Sequence, residues 1–373
     1  MIIRNGYVFT EDGTFEQKDL YIEGTKIVSS KEEVTDQKIV DAKGKKIIPG
    51  VVDVHSHGAN GCDFGDADPA HLEKILAYER SHGITSYCPT SMTVSKEELL
   101  QIFATVKEIR PSKKLAKIAG IHMEGPFVSP AKKGAQNEKH IMPATRAFFE
   151  ECNEAAGGKI KILTLAPEES GNLEFIKEMA GEVNISLGHT ATDYETAREA
   201  FAAGANHVTH LYNAMNPFGH RNPGLVGAAA ENDSHCMVEL ISDGMHIDPA
   251  AVRATFRMMG ADKMVLISDS LSATGLEDGL YELGGQTVYV KDGKATLKDG
   301  TIAGSTTNLF DCARKAMSFG IPEKDVLFAV TRNPAKSIGM YEEIGSLTPG
   351  KAADFLIVGD GYELEAVCVD GSF

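Results

Sequence analysis

Six short segments of this chain set histidine or a carboxylate against an apolar run: VVDVHSHG (51–58), IHMEGPF (121–127), SLGHT (186–190), VTHLYNAM (208–215), SDGMHID (242–248) and LISDS (266–270). In an extended strand successive side chains alternate faces, so His55 and His57 share one face and Ser56 takes the other. Two neutral imidazoles on one face can hold a metal ion between them. They can equally be ordinary polar residues where a buried strand meets solvent. The pair alone does not decide; the elements that carry the other segments must.

Those elements alternate. Near-continuous apolar runs occur at 51–55, 84–88, 118–122, 160–165, 183–187, 206–209, 236–241 and 263–267. Such runs suit parallel strands covered on both faces. Helical stretches with start signals follow most of them: Asp68-Pro69, Ser95 with Glu98, Thr192 with Glu195, and Asp248-Pro249. Eight βα units over roughly 250 residues predict a (β/α)8 TIM-like barrel. A doubly wound open sheet is the competing α/β architecture, but its glycine-rich nucleotide turn is replaced here by HSHGANG.

Both ends of the chain read as short strands and turns, so residues 1–50 plus 345–373 are expected to form one small β-sandwich domain. The barrel is expected over 51–344, with a β-hairpin insertion near 280–300.

Catalytic groups of a barrel stand at the C-terminal ends of its strands. His55 and His57 close the first predicted strand, and Glu124 follows the third. His189 follows the fifth and His210 the sixth; His246 lies a loop beyond the seventh, and Asp269 closes the eighth. Imidazoles and carboxylates gathered at one mouth suit Zn²⁺, Fe²⁺, Mn²⁺ or Co²⁺.

Taken in order, PGVVDVHSHG, HMEGPF with KKGAQN, SLGHT, THLYNAMNPF with HRNPGLVG, DGMHID, LISDS and AGST resemble the amidohydrolase superfamily over nearly the whole chain. Within it, the chain is most similar to the deacetylases of 6-phosphorylated N-acetylglucosamine. The resemblance implies a hydrolase using one or two divalent metals. Glu124, His189 and His210 would form the main site, and His55 and His57 would serve a second ion. Asp269 would act as general base and acid, and also as a ligand. The resemblance further implies substrate contacts at Ala135, Gln136, Asn213, Ala214, Arg221 and His246, and along Ile302, Ala303 and Gly304. Arg221 would reach a neighbouring subunit, making the protein a homodimer. Some relatives carry histidine where Gln136 stands here, and a neutral amide can donate a hydrogen bond but carries no charge.

A net charge of −16 argues against nucleic acid as a partner, since that recognition draws on clustered Lys and Arg. No apolar run reaches the ~18–20 residues of a membrane span. No signal peptide is visible, and the six cysteines are scattered without a CxxC pair, so a cytoplasmic protein with reduced thiols is expected. Two other readings remain open at this point. A cyclic-amide hydrolase or deaminase would share the metal residues but not Arg221 and His246 as phosphate contacts. A non-catalytic scaffold would have lost ligands that this chain keeps.

Overall fold

The computed structural model describes residues 1–232 and 236–373. Eight parallel strands follow one another around a barrel: β1 (Val51–Ser56), β2 (Ile84–Ser91), β3 (Ile121–Glu124), β4 (Ile160–Leu165), β5 (Asn184–Leu187), β6 (His207–Val208), β7 (Met237–Ile241) and β8 (Met264–Ile267). Just past β8 the backbone completes the ring: Asp269 N–H donates to His55 O (2.9 Å) and His57 N–H to Ser270 O (2.8 Å). The strands alternate faces as a two-residue period demands. Ile121, Met123, Leu163, Leu165, Leu240 and Leu266 pack outward into the core shared with the helices. Val54, Ile162, Ile241, Val265 and Ile267 form a separate apolar cluster.

The helix starts obey capping chemistry. Asp68 and Asp248 each accept a backbone N–H two residues on, ahead of Pro69 and Pro249, and Ser95 and Glu98 form a reciprocal capping box. One start differs from expectation. The helix Tyr194–Ala203 is capped by Asp193, whose carboxylate accepts from Thr196 N–H, so Thr192 lies outside it. A carboxylate beside the helix N-terminus also meets the positive end of the dipole, which a threonine hydroxyl does not match. The third strand is displaced too. It begins at Ile121 and runs to Glu124, while Lys117–Ile118 pairs separately with β2. At Gly120 the backbone passes close over Lys161 of β4, where a Cβ would lie 2.4 Å from that side chain.

Both ends of the chain enter one seven-stranded sheet. Phe355–Val358 pairs antiparallel with Lys46–Pro49, which in turn lies beside Ile2–Phe9. This sheet has its own apolar cluster, including Ile3, Ile22, Ile47 and Phe355. Gly50 joins Lys46–Pro49 directly to β1, so the sheet fixes where the first barrel strand enters. Beyond β8, Gly279–Leu283, Gln286–Lys291 and Lys294–Thr296 form an antiparallel meander rather than a single hairpin. Its Leu283, Val288 and Ala295 pack on Met92, Leu271 and Ala303 beside the barrel mouth. Among the described residues, no helix is long and apolar enough to cross a membrane.

Candidate metal centre

Three of the polar residues at the mouth sit in left-handed backbone just beyond their strands: His189 (φ 47°), His210 (φ 28°) and Asp269 (φ 49°). Non-glycine residues adopt this region at a cost and hold it only where the surroundings enforce it. The turn ends each strand abruptly and aims the side chain inward.

The side chains converge. Glu124 Oε1 lies 3.2 Å from His189 Nε2 and 3.1 Å from His210 Nε2, and the two nitrogens are 3.0 Å apart. Bonds of ~2.0–2.1 Å to a tetrahedral ion place neighbouring donors roughly 3.3 Å apart, close to this triangle. A second group adjoins it. His55 Nε2 is 3.4 Å from Glu124 Oε1 and 3.6 Å from Asp269 Oδ1; His57 Nε2 is 3.3 Å from Asp269 Oδ1 and 3.6 Å from Glu124 Oε2.

The outer hydrogen bonds assign the tautomers. A carbonyl only accepts, so His189 Nδ1, 3.1 Å from Lys132 O, carries its proton, as does His57 Nδ1, 3.1 Å from Thr90 O. His55 Nδ1 donates to Glu239 Oε2 at 2.9 Å. In the neutral form of each of these rings the lone pair is therefore on Nε2, facing the carboxylates. His55 Nε2 is fully buried and has no hydrogen-bond partner, although carboxylate oxygens surround it. A buried lone pair among anions is costly unless positive charge, a proton or a metal ion, stands between them, and the two carboxylates beside His55 do raise its imidazole. The donor set thus fits a divalent ion at Glu124, His189 and His210, and a second at His55 and His57 with Glu124 or Asp269.

The electrostatics call for positive charge at the same place. Burial alone would push the Glu124 carboxyl up, but the imidazoles of His55 and His189 outweigh it and hold the group well below the usual carboxylate range. When His57 carries a second proton its Nε2 donates to Asp269, and with the charge at His55 this overcomes burial and leaves the carboxyl below its ordinary value. At His246 burial works downward, but the bond to Asp243 Oδ2 (2.8 Å) and that carboxylate's charge raise the imidazole.

A cavity of about 320 Å³ opens over this centre. His57, Glu124, His189, His210 and Asp269 form its floor, while Ala135, Gln136, Asn213, Ala214 and His246 stand on its walls. Ile302 and Gly304 reach it from the loop after the meander. Three expected residues lie elsewhere. His55 is sealed beneath the floor, and Ala303 is buried in the apolar cluster with Leu271 and Leu283. Arg221 is exposed and lines a separate surface cavity with His220 and Asn222.

Sequence reading passed over Glu239. It is fully buried on β7, where its carboxylate meets His55 Nδ1, His207 Nε2 (3.1 Å) and the backbone N–H of His210 (3.1 Å). Its signal was a lone acid inside the apolar run CMVELI. His122 was also missed. It stands two residues before Glu124 on the same strand face, and its Nε2 is 2.7 Å from Thr164 Oγ1.

Residues 47–372 match the model of the Amidohydrolase family. The chain belongs to the amidohydrolase family. Among curated amidohydrolases similar to it, an N-acetylglucosamine-6-phosphate deacetylase of Bacillus subtilis is 38% identical over 369 residues, covering 97% of this chain and 91% of the relative. Among solved structures, the N-acetylglucosamine-6-phosphate deacetylase of Pasteurella multocida superposes with a TM-score of 0.91 at 28% identity, covering 99% of this chain and 98% of the other. The N-acetyl-D-glucosamine-6-phosphate deacetylase of Mycobacterium smegmatis gives 0.90 at 30% identity, over 100% and 99% of the two chains.

Proposed function

We propose that this amidohydrolase hydrolyses N-acetyl-D-glucosamine 6-phosphate to D-glucosamine 6-phosphate and acetate, in amino-sugar catabolism and recycling. The observation that carries the reading is the Glu124–His189–His210 triangle at the floor of the cavity, in a chain similar throughout to deacetylases of that substrate. A divalent ion bound there supplies two things: it lowers the pKa of its water toward ~7 and it polarises the amide carbonyl.

The chain's own residues do the rest. Glu124, His189 and His210 would hold the ion, and His55 and His57 with Asp269 would offer a second position. Asp269, as the carboxylate beside His57, takes a proton from the attacking water. The water oxygen bonds to the acetyl carbon, the C–N bond breaks, and Asp269 returns the proton to the departing amine nitrogen. Asn213, Ala214 and the Ile302–Gly304 loop orient the sugar. His246, fixed through Nδ1 by Asp243, donates to the substrate from its other ring nitrogen. Phosphate recognition is assigned to Arg221, whose planar fork suits it. Because Arg221 stands apart from the centre in its own chain, it acts across a homodimer in the partner's site.

The division into a barrel at 51–344 and a closing β domain from 1–50 and 345–373 belongs to the same proposal. So does a cytoplasmic location, supported by six buried, unpaired cysteines. The test is acetate release by the metal-reconstituted protein from N-acetylglucosamine 6-phosphate, the same sugar without phosphate, and the galactosamine epimer. Hydrolysis that depends on the phosphate is expected. No release from any of them, with metal bound, would overturn the substrate.

A further inference from the structure

Gln136 stands on the cavity wall, where a substrate contact is the natural assignment, yet only 3% of it is exposed and both ends of its amide are already committed. Its Oε1 accepts from Thr93 N–H at 2.6 Å, and its Nε2 donates to Glu124 Oε2 at 2.6 Å. The orientation is not arbitrary. A backbone N–H can only donate, so the amide atom facing Thr93 is oxygen, and the NH₂ group therefore faces the carboxylate. Its other N–H points to Met92 Sδ at 3.6 Å, a weak acceptor.

The consequence falls on Glu124. Its two oxygens are made unequal: Oε2 is tied to Gln136, while Oε1 faces His189, His210 and His55. The same stretch of chain also holds a second member of the triangle. Lys132 O accepts from His189 Nδ1 (3.1 Å), and Ser129 N–H donates to His189 O (2.9 Å). Gln286 of the meander donates to Ala135 O, fastening the stretch from outside. Residues 129–136 thus clip both Glu124 and His189.

We infer that Gln136 is a positioning residue of the metal centre: it locks the rotation of Glu124 so that Oε1 completes the His189–His210 corner, and it does not contact substrate. This rests on the metal-dependent reading proposed above. Groups that orient metal ligands typically change metal affinity by about 10–100-fold when removed.

The test compares the full-length protein with Gln136→Ala and with Gln136→Met, which keeps the bulk but has no amide. Apo protein is titrated with Co²⁺ against a competing chelator, the visible spectrum of the bound ion is recorded, and KM is measured at saturating metal. The expected result is a Co²⁺ affinity about 10–100-fold weaker and an altered spectrum in both variants, with KM within about twofold of the parent. Unchanged affinity and spectrum with KM raised tenfold or more would overturn the inference and make Gln136 a substrate ligand. Should the Ala variant fail to fold, the Met variant carries the comparison alone. Because affinity and spectrum are read without substrate, a failure of the deacetylase reading shows separately, as metal binding without acetate release.

Discussion

His189 Nε2 and His210 Nε2 face each other at 3.0 Å, with Glu124 Oε1 within 3.2 Å of both. His189 keeps its proton on Nδ1 for Lys132 O, so its Nε2 brings a lone pair to this contact. Lone pairs and a carboxylate gathered out of water are stable together only around a cation. Metal binding is therefore coupled to folding stability. Removing metal with a chelator is expected to abolish activity and lower Tm. Restoring metal at one hundred times its Kd returns about 2.7 kcal/mol of stability. Differential scanning calorimetry with and without metal checks this, and a Tm indifferent to metal would contradict it. His210→Ala should lose both the metal-dependent increment and the activity.

Asp269 separates chemistry from metal holding. Its Oδ1 is 3.3 Å from His57 Nε2, but it is absent from the Glu124–His189–His210 triangle. Asp269→Asn should lower kcat by about 10²–10⁴-fold, the usual weight of a general acid–base group. The metal at the triangle should remain. Elemental analysis beside steady-state kinetics decides: loss of all bound metal would show that Asp269 acts mainly as a ligand.

Much of this was legible from the sequence, for physical reasons that differ by residue. The barrel strands announced themselves because burial on both faces demands continuous apolar runs. His189, His210 and Asp269 were legible because a polar residue directly after such a run lies at the strand's C-terminal end, where barrels keep their chemistry. Thr192 misled because two capping residues sit side by side and only helix geometry selects Asp193. Glu239 was illegible because β7 alternates faces: an acid pointing into the barrel beneath the centre looks, in one dimension, like an interruption of a core strand. The commitments of Gln136 depend on Thr93 and Glu124, residues distant in sequence and brought together only by the fold.

Glu239 yields its own prediction. Burial alone would push its carboxyl up, but His55 and His207 outweigh it and hold the group well below the ordinary range, so it accepts from both as a carboxylate. It fixes the ring of His55 and the backbone of His210 at once. Glu239→Gln should weaken metal binding or activity by about 10–100-fold. The second equivalent of metal should suffer first, because His55 serves that position. Stepwise metal titration by isothermal calorimetry reads this directly. Equal loss at both positions would mean that the His210 backbone contact dominates.

The last prediction concerns stability rather than chemistry. Glu79, on the helix Pro69–Ser81, is fully buried, and neither carboxyl oxygen has a hydrogen-bond partner. Burial, with the negative charge of Asp53 nearby, holds its carboxyl well above the usual range. The sign of the linkage follows. Between the unfolded value near ~4.3 and the raised folded value, the native state binds more protons than the unfolded chain, so this group's contribution to stability falls as pH rises through that window. Glu79→Gln removes the titration while keeping the shape. Relative to its parent the variant should gain stability as pH rises above about 4.3, by about 1.4 kcal/mol per pH unit within that window, while below it the difference between the two should not change with pH. Urea unfolding at a series of pH values measures the gap. A gap that stays constant with pH would mean that Glu79 finds a partner on ionising, with Tyr87 and Asp53, the groups it faces, the first to be tested by substitution.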